Sequence, residues 1–329
     1  MNIKKISSMY FQSFTKYKVV GYTYGTPSTM NVSELTHVNY AFGDIINGEV
    51  SVSNNQDLLR LVSFKSSNPN LKVILSVGGW GAEGFSDAAY SEFSRNIFAN
   101  SCLDMVKTYQ LDGIDIDWEY PVSGACNLIK CRPQDKQNFT LLLQTIRDKI
   151  GNSKILSIAA GAGQFYVDNT ELNKIVNICD YINLMTYDFG HNTYNANLCP
   201  TSSAYGSGLS CDKSVNILIN AGVPSAQINL GIPFFGRYDT KYLSYGDLVN
   251  DYINKNGWTR YWDNQAKAAY LKNNSSFITY EDELSISYKT EYINLKGLGG
   301  AMFWEYNQDY NGILLNRLWT GLNREIINL

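Results

Sequence analysis

The stretch LDGIDIDWEYP, from Leu111 to Pro121, alternates acidic with apolar residues. In this stretch Asp115, Asp117 and Glu119 are two residues apart, and apolar residues fill the positions between them. Because successive side chains of a β-strand point to opposite faces, the three acids share one face. Neighbouring acids lie about 6–7 Å apart along the backbone, at a rise of roughly 3.3 Å per residue. The pattern predicts a strand with acids on one face and an apolar layer on the other.

Other short apolar runs, rich in Val, Ile, Leu and Tyr, recur along the chain. The predicted strands are Lys18–Tyr22, His37–Phe42, Lys72–Val77, Gly113–Trp118, Lys154–Ala159, Tyr181–Met185, Ile228–Pro233 and Gly300–Trp304. Nearly continuous apolar runs are typical of strands that are buried on both faces, as in a parallel sheet.

Helical patterns lie between these runs. The predicted helices are Gln56–Ser66, Asp87–Tyr109, Pro133–Ile150, Thr170–Asn177, Asp212–Ala221, Glu283–Leu295 and Ile313–Leu322. Strands that alternate with helices predict a parallel sheet with crossover connections. In one domain of this length we expect an α/β fold closed into a (β/α)8 TIM barrel. An open doubly wound sheet is disfavoured because no phosphate-type glycine fingerprint follows the first strand.

The connection between the seventh and eighth strands is unusually long and rich in Tyr and Trp. A structureless loop of that length is uncommon in a compact domain. The sequence therefore predicts a small α+β insertion over about 238–282, on the side of the barrel where active sites form. We expect residues 17–329 to form one barrel domain and residues 1–16 an N-terminal tail.

Composition narrows the choice of partners. The 329-residue chain has a net charge of −3 and no basic stripe, which argues against nucleic acid and acidic membranes as partners. No apolar run approaches the roughly 18 residues that span a bilayer. The segment Ile6–Gln12 is too short and polar for a secretory signal. The 24 Tyr, 14 Phe and 6 Trp residues fit either core packing or a groove of flat faces for sugar rings.

The cysteines predict two local disulfides and an oxidising compartment. The close pairs, both in polar loops, are Cys126 with Cys131 and Cys199 with Cys211. Cys102 and Cys179 lie in apolar segments and are expected to be buried free thiols. With two histidines, His37 and His191, a Ser–His–Asp hydrolase is hard to build.

Three carboxylates on one buried wall cannot all ionise at low cost. Like charges in contact raise at least one pKa, and burial raises it further. The result is a carboxylic acid that stays protonated near neutral pH, which a glycosidase needs for its leaving group. A divalent-metal site is the alternative, because carboxylates bind magnesium and calcium. We expect no metal and no cofactor.

The acidic pattern Asp112-x-x-Asp115-x-Asp117-x-Glu119 resembles the signature of glycoside hydrolase family 18, the chitinases and their relatives. Further stretches resemble family motifs in the same order, namely Ser76–Trp80, Met185–Asp188, Gly231–Arg237 and Gly299–Glu305. The aromatic insertion resembles the α+β insertion of the deep-cleft chitinases. The resemblance covers the chain from about Tyr17 onward.

The resemblance implies a retaining, substrate-assisted mechanism, which is an exception to the usual two-carboxylate scheme. Glu119 is expected to protonate the glycosidic oxygen while the N-acetyl carbonyl of the sugar attacks its own anomeric carbon. Asp117 is expected to hold the acetamide N–H and to stabilise the positive oxazolinium intermediate. Asp115 is expected to pair with Asp117 and to control its proton. Tyr187 is expected to orient the acetamide oxygen.

The resemblance also implies a set of substrate-binding residues. They are Tyr22, Phe42, Gly79, Trp80, Tyr120, Met185, Asp188, Arg237 and Trp304. Trp304 is expected to form the floor under the sugar that is cleaved. Tyr22 and Phe42 fit a core position equally well, and Arg237 fits a structural salt bridge equally well.

The activity that the resemblance implies is hydrolysis of β-1,4 linkages in chitin or chitooligosaccharides, by a monomeric extracellular enzyme. One alternative is an endo-β-N-acetylglucosaminidase that acts on glycans or peptidoglycan. Another is a non-catalytic chitin-binding lectin. Lectins of the family typically lack the acid at the position of Glu119, and this chain keeps it.

Overall fold

Parallel strands form a closed barrel in the computed structural model, which describes residues 17–124, 128–190 and 192–323. The eight barrel strands of these ranges are β1 (Lys18–Tyr24), β2 (His37–Ile46), β4 (Lys72–Trp80), β5 (Gly113–Glu119), β6 (Ile155–Gly161), β7 (Tyr181–Met185), β8 (Ile228–Pro233) and β14 (Gly300–Trp304). Pairing of β1 with both β14 and β2 closes the barrel. A short strand, β3 (Glu49–Ser51), pairs in antiparallel orientation with the end of β2. The predicted (β/α)8 barrel is confirmed. The predicted tail, 1–16, lies outside the described residues, as do Cys126 and His191.

The strands are buried on both faces, as their sequences predict. On β5, Ile114 and Ile116 are fully buried in the layer between strands and helices. Asp115 and Asp117 point the other way, into the barrel, and are 0% and 4% exposed. A separate apolar cluster fills the barrel interior beside them and consists of Val20, Tyr22, Ala159, Met185 and Met302. The alternation of β5 therefore places an acidic face inside the barrel.

Helices surround the barrel. They are α1 (Asn55–Ser63), α2 (Phe85–Tyr90), α3 (Glu92–Thr108), α4 (Asp135–Ile150), α5 (Gln164–Asp168), α6 (Leu172–Ile175), α7 (Cys211–Asn220), α8 (Tyr245–Asp247), α9 (Glu283–Lys296) and α10 (Ile313–Leu322). The single helix predicted over Asp87–Tyr109 is wrong, because Ser91 is extended and caps α3 through Ser94. The helix predicted over Thr170–Asn177 shortens to α6. Among the described helices, none is both long and apolar enough to span a membrane.

The predicted insertion forms a five-stranded antiparallel sheet. Its strands are β9 (Phe235–Tyr238), β10 (Lys241–Ser244), β11 (Thr259–Asp263), β12 (Ala268–Asn273) and β13 (Ser276–Tyr280), in the order β10-β9-β13-β12-β11. Its helical part is small, α8 followed by a π-helical turn at Leu248–Tyr252. The insertion is therefore mainly β, and its first strand starts at Phe235.

A buried ion pair connects the end of the insertion to the barrel. Asp282 caps α9 by accepting from the amides of Leu284 and Ser285. One residue earlier, the carboxylate of Glu281 accepts from Lys289 Nζ at 2.6 Å. Lys289 is 0% exposed and Glu281 is 5% exposed. Each charge depends on the other, because neither has access to water.

We expect Lys289→Met to lower the free energy of unfolding by about 3–5 kcal/mol, because it leaves a buried carboxylate without its cation. Urea unfolding at neutral pH measures the change. The exposed Lys107→Met on α3 is the matched control and should cost less than about 0.5 kcal/mol. The double variant Lys289→Met, Glu281→Leu should recover most of the loss. A cost for Lys289→Met as small as that of the control would contradict the importance of the pair.

The predicted Cys199–Cys211 disulfide is wrong, because both residues are free thiols. The Cys211 sulfur faces inward and contacts the carbonyl oxygens of Ala196, at 3.4 Å, and Thr186, at 3.6 Å. Cys131 is also a free thiol, and its predicted partner lies outside the described residues. The disulfide argument for an oxidising compartment therefore loses its support. The predicted buried free thiols are confirmed at Cys102 and Cys179.

Candidate active site

The three acids lie where the strand β5 reaches the carboxyl end of the barrel, and Glu119 is its last residue. The neighbouring strand β4 approaches closely, with Gly78 in register with Asp117. A Cβ atom at Gly78 would overlap with the carbonyl oxygen of Asp117, and the φ of Gly78 is +118°. Only glycine combines this close approach with a positive φ. The glycines of β4 therefore allow the acidic strand to pack here.

Asp115 is the deepest acid and is surrounded by hydrogen-bond donors. Its Oδ2 accepts from Tyr22 Oη at 2.7 Å and Ser76 Oγ at 2.8 Å. Its Oδ1 accepts from Ser157 Oγ at 2.6 Å and Asn183 Nδ2 at 3.4 Å. Burial raises the pKa of Asp115, and these donors oppose the rise because they stabilise the ionised form.

Asp117, in contrast, has an unsatisfied carboxyl oxygen. Its Oδ1 is buried and has no hydrogen-bond partner in the part of the chain that the structure describes. Burial raises the pKa of Asp117 well above its usual value, and the negative charges of Glu119 and Asp115 raise it further. Asp117 therefore favours a proton, and no described residue donates to its buried Oδ1.

Glu119 lies at the rim and is partly buried. Burial raises its pKa to about 7, a hydrogen bond with Tyr120 opposes the rise, and the charge of Asp188 adds to it. A carboxyl group with this pKa is protonated in a large fraction of molecules at neutral pH. It can donate a proton and then accept one back, as general acid–base catalysis requires.

Tyr187 follows β7 and closes the opposite side of the site. Its hydroxyl donates to the sulfur of Met302 at 3.7 Å. Its ring packs on the interior cluster that contains Met185 and Tyr22. Burial raises the pKa of Tyr187 well above its usual value, as do the charges of Asp117 and Glu119. The hydroxyl therefore stays protonated and remains a donor across the site from the acids.

An aromatic floor lies beside the acids. The rings of Trp304 and Phe42 stack with centroids 5.5 Å apart and planes 17° apart. Tyr22 lies 6.0 Å from Trp304. A Cβ atom at Gly79 would come within 2.7 Å of the Phe42 ring, so glycine makes room for the stack. The structure thus brings together four of the predicted binding residues.

A second aromatic group lies on the other side of Glu119. Trp80 is 60% exposed, and its ring centroid lies 6.3 Å from that of Tyr120. Phe165, at the start of α5, contacts Tyr120 at 5.1 Å and is 43% exposed. Exposed rings next to a buried acid form flat apolar faces against which sugar rings can pack.

Asp188 and Arg237 meet at the mouth of the site. Arg237 Nη1 lies 3.3 Å from Asp188 Oδ1. The guanidinium also stacks over the ring of Tyr242 at 4.2 Å, and Tyr242 belongs to β10 of the insertion. The structural ion pair expected of Arg237 is present, while its contact with sugar oxygens stays a prediction.

The sequence alone did not identify every residue around the acids. Ser157, Asn183, Phe165 and Tyr242 are additional neighbours of the predicted site. For Ser157 and Asn183 a signal was present, because each is two residues before an inward-facing residue of its strand, Ala159 and Met185. No sequence pattern marks Phe165 or Tyr242, whose positions depend on how a loop and the insertion fold.

A partly buried acid at the rim of a parallel barrel, between aromatic rings, is the type of site that glycoside hydrolases use. The sequence model of the glycosyl hydrolases family 18 matches residues 7–309. The chain belongs to this family, and it is a glycoside hydrolase.

Named relatives share most of the chain. Chitinase A1 of Niallia circulans is 37% identical over 404 residues, which cover 92% of this chain and 58% of the relative. The structure of a family 18 N-acetylglucosaminidase from Paenibacillus barengoltzii is 38% identical, with a TM-score of 0.88, over 93% of this chain and 99% of that one. The chitinase domain of the spore coat protein CotE from Clostridium difficile is 42% identical, with a TM-score of 0.70, over 97% and 95%.

Proposed function

We propose that this protein is a retaining chitinase that hydrolyses β-1,4 linkages between N-acetylglucosamine units of chitin and chitooligosaccharides. The observation that carries the proposal is the row of Asp115, Asp117 and Glu119 along β5, with the first two buried in the barrel and Glu119 at its rim. The names of the relatives, two of them chitinases and one an N-acetylglucosaminidase, support the same substrate class.

The first step breaks the glycosidic bond. Glu119 gives its proton to the glycosidic oxygen as the bond from that oxygen to the anomeric carbon breaks. The carbonyl oxygen of the neighbouring acetamide forms a new bond to the anomeric carbon and gives a positively charged oxazolinium ring. Asp117 accepts the acetamide N–H, and Tyr187 donates to the acetamide oxygen, so the attacking group is held in place before the reaction.

The second step opens the ring. Water attacks the anomeric carbon on the face that the leaving group vacated, and the Glu119 carboxylate takes the water proton. Two displacements at one carbon retain its configuration. The Asp115–Asp117 pair offsets the positive charge of the ring in a site shielded from water, where such interactions are strong.

The aromatic residues hold the polymer in this scheme. Trp304 supports the sugar that is cleaved, with Phe42, Tyr22 and Gly79 behind it. Trp80 and Tyr120 contact the sugars on the far side of the scissile bond. Met185 lines the acetamide pocket, while Asp188 and Arg237 bind sugar hydroxyls at the mouth.

Proton NMR of chitohexaose cleavage tests the reaction class. We expect the new reducing ends to appear first as the β-anomer and to equilibrate only later, because configuration is retained. Initial formation of the α-anomer would contradict the acetamide route. The absence of any cleavage would favour the lectin alternative.

The pKa of Glu119 makes activity depend on pH. Because Glu119 must be protonated, kcat/KM should fall as pH rises through about 7. Asp188→Asn removes a negative charge that raises this pKa, so the alkaline limb should move to lower pH. Asp104→Asn, at an exposed position on α3, is the matched control and should leave the profile unchanged. A limb that moves to higher pH in Asp188→Asn would contradict the assignment.

A second candidate is an N-acetylglucosaminidase that acts on chain ends or on glycans. The 38% identity to such an enzyme over 99% of its chain favours it. The two candidates share Glu119 and differ in products. Release of N-acetylglucosamine alone from chitohexaose, from the first turnovers onward, would support the second candidate. Longer products support the first.

We also propose that the protein acts outside the cell as a monomer. Polymeric chitin is too large to cross a membrane, so an enzyme that acts on it must meet it outside. All residues of the proposed site come from one chain, so a second subunit is not needed to complete it.

A further inference from the structure

A chain of hydrogen bonds crosses the barrel interior beneath the proposed site. Asn229 Nδ2 donates to Asn183 Oδ1 at 3.0 Å, and Asn183 Nδ2 donates to Tyr22 Oη at 3.1 Å. Tyr22 Oη then donates to Asp115 Oδ2 at 2.7 Å. These residues belong to four strands, β8, β7, β1 and β5. All four are 0–2% exposed, so the barrel interior carries a polar relay that ends on Asp115.

The carboxylate of Asp115 fixes the direction in which the hydrogen bonds of this relay run. Both hydrogens of Asn183 Nδ2 are used, one toward Tyr22 and one toward Asp115 Oδ1 at 3.4 Å. A reversed Asn183 amide would place its oxygen against the carboxylate, and the two acceptors would repel. Asn229 selects the observed orientation because it offers its N–H to the Asn183 oxygen. The Asn229 Oδ1 has no partner among the described residues, so Asn229 acts here as a donor alone.

Neutral donors are the groups that stabilise a charge on Asp115. Six titratable groups interact with Asp115, namely Asp117 on the same strand, Tyr22 on β1, Tyr181 and Tyr187 on and just after β7, Tyr166 on α5, and Cys179 just before β7. None of these groups of the described residues carries a positive charge. A buried carboxylate without a cation depends on its hydrogen bonds, and aligned donors strengthen each other.

We propose that Asn229 and Asn183 are positioning residues that keep Asp115 ionised in the free enzyme and thereby place the proton of the acidic pair on Asp117. The inference rests on the proposed function for its effect on catalysis. If the relay is broken, Asp115 competes with Asp117 for the proton, because a charged Asp115 helps to raise the pKa of Asp117 and a neutral Asp115 does not. Asp117 then binds the acetamide without the proton that it carries in the wild type.

Asn229→Leu tests the relay, because Asn229 is connected to Asp115 through Asn183. We expect kcat on a chromogenic chitotriose glycoside to fall about tenfold, or ~1.4 kcal/mol in the activation barrier, with KM nearly unchanged. The acidic limb of kcat/KM should move to higher pH, because lost donors favour the neutral form of Asp115. Asn183→Leu should have the same effects with a larger fall in kcat.

Asn39→Leu is the matched control. Asn39 is a fully buried amide of the same barrel interior, and its amide atoms have no hydrogen-bond partner among the described residues. We expect it to keep the wild-type pH profile. If Asn183→Leu does not fold, the pH profile of Asn229→Leu alone tests the inference. A folded Asn229→Leu with the wild-type pH profile would overturn the inference, as would an equal shift in Asn39→Leu.

A second measurement separates the inference from the proposed function. In protein labelled with carbon-13 at the aspartate carboxyl carbons, the Asp115 signal is assigned by its loss in Asp115→Asn. We expect this signal to report an ionised group at about pH 6 in the wild type and a higher pKa in Asn229→Leu. A protonated Asp115 at that pH in the wild type would overturn the inference even if the enzyme is active. If chitotriose is not cleaved but the titrations differ as expected, the proposed function fails and the inference stands.

Discussion

Glu119→Gln should lower kcat by about 10³-fold or more, while affinity for chitooligosaccharides stays within about threefold. General acid–base catalysis contributes roughly 10²–10⁴-fold, and Glu119 acts in both proposed steps. Glutamine has nearly the same shape, but it cannot give a proton to the leaving oxygen or take one from water. The binding contacts from Trp304, Trp80 and Tyr120 remain in place, so KM should change little.

The measurement compares kcat on a chromogenic chitotriose glycoside with binding of chitohexaose by calorimetry. Glu92→Gln, an exposed change of the same type in the first turn of α3, is the matched control and should behave as wild type. Activity above a tenth of wild type in Glu119→Gln would remove Glu119 from the role of acid. A loss of both activity and binding would indicate a role in holding the sugar.

Asp117→Ala should lower kcat by about 10²–10³-fold, the range found when one group that stabilises charge in a reaction is removed. Without the carboxyl group the acetamide N–H has no acceptor, and its oxygen is no longer held against the anomeric carbon. Asp117→Asn should lose less, because the amide oxygen can still accept the acetamide N–H.

The comparison of Asp117→Asn with Asp117→Ala therefore separates the effect of losing the hydrogen-bond acceptor from the effect of losing side-chain volume. Single-turnover rates of wild type, Asp117→Asn and Asp117→Ala on the chitotriose glycoside, with thermal melts as folding controls, make the comparison. If Asp117→Ala is folded and within tenfold of wild type, Asp117 does not fix the acetamide. If Asp117→Asn is as slow as Asp117→Ala, the ionisable group itself is required.

Local patterns predicted the barrel and the acids well, for a physical reason. A strand buried on both faces must be apolar nearly throughout, so the acids that interrupt β5 stand out, and strict alternation gives their direction. The apolar runs that predict β7 and β8 are equally local patterns. The bounds predicted for these two strands are the bounds observed.

Features that depend on distant parts of the chain were not predictable in this way. The relay from Asn229 to Asp115 joins four strands, and only closure of the barrel brings them together. Cys199 and Cys211 are close in sequence, yet the Cys211 thiol contacts the backbone carbonyls of Thr186 and Ala196, in the connection after β7. The position of Tyr242 over Arg237 depends on the fold of the whole insertion.

A comparison of two chromogenic substrates that share a β-1,4 linkage tests whether the acetamide of the substrate takes part in the reaction. The chitotriose glycoside carries the acetamide that the proposed mechanism uses as its nucleophile, and the matched cellotriose glycoside carries a hydroxyl in its place. We predict that the wild type cleaves the first and leaves the second uncleaved, with kcat/KM at least about 10³-fold apart. Comparable rates on the two substrates would contradict substrate assistance and, with it, the roles proposed for Asp117 and Tyr187.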